Sequence, residues 1–122
     1  VIAKLPDSLC WLSQSRTLPA LARLAEIYVR NDSGNPLIMD ALYIDAPGEI
    51  LATAIVFNRS HILAAPVPVH SVESIGRPRL LPIGVFRGGR RIEPSQDLTV
   101  RLDNLGDDQT VSVLIRCREV YP

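Results

Sequence analysis

Two stretches near the end of the chain alternate apolar and polar residues with a period of two, and no other feature limits the fold as sharply. In residues 98–103, Leu98, Val100 and Leu102 alternate with Thr99, Arg101 and Asp103. In residues 111–118, Val111, Val113, Ile115 and Cys117 alternate with Ser112, Leu114, Arg116 and Arg118. Successive side chains of an extended strand point to opposite faces, so this pattern predicts two half-buried strands. The cluster Asn104, Leu105, Gly106, Asp107 and Asp108 between them predicts a loop.

The same reading applies upstream. Ala25, Ile27 and Val29 alternate with Glu26, Tyr28 and Arg30, which predicts a strand from Arg23 to Arg30. Residues 18–26 also carry a helical alternative, because Pro19 suits a first helical position and Ala and Leu are good helix formers. Residues 31–36 (Asn-Asp-Ser-Gly-Asn-Pro) predict a hairpin turn, residues 45–48 (Asp-Ala-Pro-Gly) and 58–60 (Asn-Arg-Ser) further turns. Between them lie strand-like runs at 37–44 and 49–57.

The second run is apolar on both faces, with Ile50, Ala52, Ala54 and Val56 on one side and Leu51, Ile55 and Phe57 on the other. Pro66 and Pro68 make residues 62–69 an edge strand or extended connection. Residues 80–86 read as a strand and 87–90 (Arg-Gly-Gly-Arg) as a tight turn whose glycines accept positive φ. Residues 1–18 hold scattered apolar positions without a period and read as an N-terminal arm. The expected fold is therefore all-β: a single antiparallel β-sandwich of about 7–8 strands over residues 19–122, jelly-roll-like in its connections.

With 122 residues the chain can build one hydrophobic core. Thirteen basic and thirteen acidic residues give no net charge, which argues against long-range attraction to nucleic acid or an anionic membrane. No apolar run approaches the roughly 20 residues of a spanning helix. Cys10 and Cys117 lack metal-ligand spacing; a disulfide between them requires the two ends of the chain to meet, and two free thiols are the simpler expectation.

No nucleophile elbow, phosphate loop, dinucleotide fingerprint or zinc-helix motif is present, and the carboxylates are scattered, so no enzyme and no cofactor are expected. His61 and His70 flank the proline-rich stretch without metal-ligand spacing. Arg77, Arg79, Arg87, Arg90 and Arg91 form a local basic concentration, suited to acidic groups on a partner protein rather than to RNA, since no aromatics are interleaved. Asn31 and Asn58 each open an N-glycosylation tripeptide, but at turns where Asn and Ser are expected anyway.

Two segments carry a resemblance. Residues 93–105, with the polar Pro94-Ser95-Gln96-Asp97 feeding a strand that ends in Asn104, resemble the last hairpin of small phage and viral jelly-roll proteins. Residues 29–37, from Val29 through Asn31-Asp32-Ser33-Gly34-Asn35-Pro36 to Leu37, are similar to their first hairpin. The resemblance implies a capsid accessory protein of the virion: a cement, decoration or minor capsid subunit that binds the major capsid protein and self-associates, for example as a trimer. Trp11, Leu12, Leu51, Ile55, Phe57, Arg87, Arg90, Arg91 and Leu114 are the contact residues expected on that reading. The alternative is a carbohydrate-binding or adhesin-type sandwich, with Trp11, Tyr28, Tyr43 and Tyr121 as its stacking residues.

Overall fold

The alternating stretches form two strands that each lie inside a sheet. A computed structural model describes residues 9–63, 66–69, 79–80 and 89–120. Among the described residues there are ten strands: β1 Leu9–Leu18, β2 Ala25–Arg30, β3 Leu37–Asp45, β4 Ile50–Phe57, β5 Ser60–His61, β6 Val67–Val69, β7 Arg79–Leu80, β8 Arg90–Ile92, β9 Asp97–Asn104 and β10 Gln109–Glu119. On β9 and β10 the inner phase (Leu98, Val100, Leu102; Val111, Val113, Ile115, Cys117) is wholly buried. The polar phase faces out, as period two requires.

All pairing is antiparallel, in two sheets. Sheet A runs β1-β10-β3, with β7 and β8 both on the far edge of β3; sheet B runs β2-β9-β4, with β5 and β6 both on the far edge of β4. Two short strands share each outer position, so the ten segments fill eight places. The first four strands alternate between sheets, and each sheet places a late strand between two early ones, which is jelly-roll topology. Leu12, Leu18, Leu37, Met39, Leu42, Ile44, Ile50, Ile55, Phe57 and Ile92 complete the aliphatic core between the sheets.

Several expectations are corrected. The expected arm is, from Leu9 to Leu18, strand β1, paired over its whole length with β10. Its pattern is obscured because β1 lies at the rim of the sandwich: Leu12 and Leu18 point inward and are buried, but Gln14 and Arg16 between them are exposed. On its outer face Ser15 and Thr17 instead share hydroxyl hydrogen bonds with Ser112 (2.7 Å) and Thr110 (2.9 Å). Residues 1–8 lie outside the described residues.

Residues 19–24 form neither helix nor strand. They are a loop in which Leu21 and Leu24 take left-handed φ angles of 58° and 52°. The turn at residues 31–36 joins β2 to β3 in opposite sheets, so it is a crossover and not a hairpin; the same holds for the loop between β9 and β10. The tight hairpin lies at Phe57–Ser60, where Asn58 and Arg59 both have positive φ.

The apparent two-faced strand at 49–57 is resolved by a β-bulge. The pairing of β4 with β9 shifts between Ala52 and Ala54, so the inner phase passes from Ile50 and Ala52 to Ile55 and Phe57. Thr53 at the bulge donates its hydroxyl to the Arg101 carbonyl (3.1 Å). Pro68 sits on β6, an edge strand, as its missing N–H demands. Of the strand expected at 80–86 only Leu80 is described, at the end of β7, and residues 87 and 88 of the turn at 87–90 lie outside the described residues. Gly89 has φ +86°, and a Cβ there would come within 2.7 Å of Ile38 Cγ2.

Candidate functional site

The strand geometry sorts the expected contact residues. Leu12, Ile55 and Phe57 are 6%, 0% and 4% exposed and belong to the core, so they have no surface to offer a partner. The bulge in β4 is the reason for Ile55 and Phe57; the rim position of β1 is the reason for Leu12. Leu51 is half-buried on the outer face of sheet B. Arg90 lies over the Phe57 ring, with Cζ 5.6 Å from its centroid, and Arg91 is ion-paired with Glu93. Arg90 and Arg91 are thus engaged within the chain, Arg79 lies on β7, and Arg87, Arg77 and His70 lie outside the described residues.

Trp11 and Leu114 are brought together on the outer face of sheet A. Trp11 on β1 is opposite Arg116 of β10, and Leu114 of β10 is opposite Tyr43 of β3. The Trp11 and Tyr43 rings reach across β10 and meet at 5.6 Å between centroids, tilted by 52°. Trp11 remains 52% exposed. Beside them Asp40 accepts a hydrogen bond from Arg116 Nε at 2.7 Å and is ion-paired with Arg118 Nε at 3.5 Å, which frames the aromatic pair with a charged cluster. The position of Tyr43 is set by a second bulge, between Arg116 and Cys117 of the β3–β10 pairing.

A second apolar surface lies at one end of the sandwich. Leu21, Leu24 and Leu105, 70%, 66% and 48% exposed, project from the β1–β2 and β9–β10 loops. These loops are bonded to each other: Leu21 N donates to Gly106 O (3.2 Å), Asn104 N to Ala22 O (2.7 Å), Leu24 N to Asp103 Oδ1 (2.8 Å) and Ala20 N to Asp108 Oδ1 (2.6 Å). Beneath them Asn104, 1% exposed, donates Nδ2 to the carbonyls of Pro19 (2.8 Å) and Asp107 (2.9 Å), and accepts Gly106 N (3.0 Å) and Gln109 Nε2 (2.8 Å). Gln109 Oε1 in turn accepts Gly48 N at 2.8 Å, which joins the β3–β4 loop to the set. Sequence reasoning missed these leucines as contacts, because residues 18–26 read as helix or strand; the one signal was the helix-like Leu spacing without an apolar partner stripe.

At the open edge between β1 and β2 a groove of about 580 Å³ is lined by Arg16, Glu26, Tyr28, Arg30 and Asp97 among others. Its polar groups are bonded to one another: Arg16 Nη1 donates to Glu26 O (2.7 Å), Tyr28 OH to Glu26 Oε1 (3.0 Å) and Arg30 Nε to Asp97 Oδ1 (2.8 Å). Among the described residues no three His, Cys, Asp or Glu side chains are grouped to hold a metal ion. Asn31 is fully buried, with Nδ2 donating to Asn35 O and Ile92 O, so it cannot serve as a glycan acceptor in this fold. Among the described residues no helix is long and apolar enough to cross a membrane. No protein-family model matches the chain, and no curated protein matches it.

Proposed function

We propose that the chain is a structural virion protein, an accessory subunit that binds and stabilises a capsid shell through protein–protein contacts and associates with its own copies. The observation that carries this reading is the leucine end. Apolar side chains are displayed there on loops fixed by a buried amide network, and two of them sit on left-handed backbone that costs about 1–2 kcal/mol per non-glycine residue. Strain and exposure in one place are offset when a partner buries the leucines. The jelly-roll topology supports the reading without establishing it, since one fold hosts many functions.

The test is absolute mass by light scattering over a dilution series, for the wild type and for a variant with Leu21, Leu24 and Leu105 all replaced by Asn. A closed oligomer that dissociates in the variant, with unchanged circular dichroism, supports the proposal; a wild-type monomer at every concentration counts against self-association.

A carbohydrate-binding sandwich is the second reading, favoured by the Trp11–Tyr43 pair on an open sheet face. Trp11 is the single tryptophan, so its fluorescence reports that face alone. Saturable quenching by an oligosaccharide, abolished in Trp11→Ala, would move the assignment to this reading.

A further inference from the structure

Cys10 and Cys117 are directly opposed in the β1–β10 ladder. Both occupy the inner phase of their strands, Cys117 fully buried with its Sγ donating to Ile115 O at 3.7 Å, and Cys10 partly exposed. Opposed residues of an antiparallel pair have Cα atoms about 4.5 or 5.5 Å apart. Both values fall inside the roughly 4.4–6.8 Å that a disulfide spans. The ladder register therefore holds the two residues within disulfide reach.

We propose that Cys10 and Cys117 are a dithiol pair that is oxidised to a cross-strand disulfide by a low-molecular-weight disulfide such as oxidised glutathione. The Cys10 thiolate, on the more exposed sulfur, attacks the glutathione disulfide; its S–S bond breaks, one glutathione thiolate leaves and takes up the Cys10 proton. The Cys117 thiolate then attacks Cys10 Sγ and displaces the second glutathione, which takes up the Cys117 proton. Two protein thiols are oxidised and one glutathione disulfide is reduced to two thiols. The product closes a loop of about 100 residues and locks the first described strand, with Trp11, to the last.

Burial raises the pKa of Cys10 first, with Glu119 adding to the effect, and raises Cys117 to about 12. Near neutral pH both sulfurs are therefore protonated and exchange is slow. Its rate should rise about tenfold per pH unit for each thiolate-dependent step.

The experiment uses the full chain, reduced and then incubated with oxidised glutathione at neutral and at mildly alkaline pH. Intact mass and alkylation under denaturing conditions are read over time. The expected product is monomer-linked, lighter by two hydrogens, with no alkylatable thiol, formed faster at the higher pH, and with Tm raised by about 5–15 °C. Cys10→Ser keeps the core intact and should show neither the mass change nor the Tm rise. Two persistent free thiols, a stable glutathione adduct on Cys10, or a disulfide-linked dimer would each overturn the proposal.

Discussion

The two ends of the sandwich are built on one plan and dressed differently. At each end a fully buried asparagine closes a strand and binds loops from both sheets. Asn31, after β2, accepts Ser33 N (3.1 Å) and Ser33 Oγ (2.7 Å) and donates to Ile92 O (3.1 Å), while its backbone pairs with Gln96 and Ser95. Asn104, at the end of β9, does the same for the β1–β2 and β9–β10 loops and, through Gln109, for the β3–β4 loop.

The Asn31 end exposes Asp32, Ser33, Gly34, Asn35, Asn58, Arg59, Glu93 and Ser95, and its left-handed positions are held by Gly34, Asn58, Arg59 and Ser95. The Asn104 end exposes three leucines and puts two of them on left-handed backbone. The Asn31 end shows that the fold closes without exposed leucines. Closing the sandwich therefore does not account for their presence at the Asn104 end.

Removing the asparagines is the largest way to break the comparison. Asn104→Ala should cost about 3 kcal/mol, because Gln109 and the carbonyls of Pro19 and Asp107 lose a buried partner together. Asn31→Ala should cost about 2 kcal/mol, since Ser33 and Asn35 lie in an exposed loop that water can reach. Urea denaturation measures both. Hydrogen exchange should show the Asn104 variant opening at residues 19–24 and 46–49 while the Asn31 end stays protected; equal opening at both ends would mean that the two networks are not independent.

The asymmetry was only half written in the sequence. Leu98–Leu102 and Val111–Cys117 are legible because both strands are central in their sheets, with one face buried throughout, so period two survives intact. β1 was not, because Gln14 and Arg16 reach solvent past the sandwich rim. The phase of β4 was hidden by a bulge at Thr53, which moves Ile55 and Phe57 inward and leaves Leu51 and Val56 outside. Asn104 stood out as a strand-ending residue, but the Leu18 and Pro19 carbonyls that it holds are distant in sequence; nothing local says that residues 19–24 are clamped and cannot wind into a helix.

A smaller perturbation sharpens the contrast by separating what a partner needs from what the fold needs. Asn tolerates left-handed backbone, where Leu is strained. Leu21→Asn and Leu24→Asn should each leave the monomer as stable or raise its stability by about 0.5–1 kcal/mol, while association weakens. Opposite signs in thermal unfolding and in light scattering are the expected signature. If both substitutions destabilise the monomer, the leucines serve the fold and the Asn104 end loses its claim to be an interface.

The smallest effect is electrostatic and lies on the two strands that run between the ends. β2 and β9 carry Glu26–Arg101 (3.0 Å) next to the leucine end and Arg30–Asp97 (2.8 Å) next to the polar end. Hydrogen bonds from Arg101 first, and from Tyr28 second, hold the Glu26 carboxyl below its ordinary pKa. A carboxyl lowered in the folded state contributes stability above its unfolded value, near about 4.3, and loses that contribution as pH falls through the folded value. Glu26 is solvent-facing, so salt screens the pair and the contribution is small. Glu26→Gln should therefore leave Tm at pH 7 nearly unchanged and flatten its decline on the acid side of about pH 4. A larger acid-side loss in high salt than in low salt would contradict this, because an exposed ion pair must weaken as screening rises. If Glu26→Gln, which is neutral like the protonated carboxyl, weakens association at pH 7 as far as acid weakens it in the wild type, Glu26 acts in the partner contact, and the interface reaches down β2 from the leucine end.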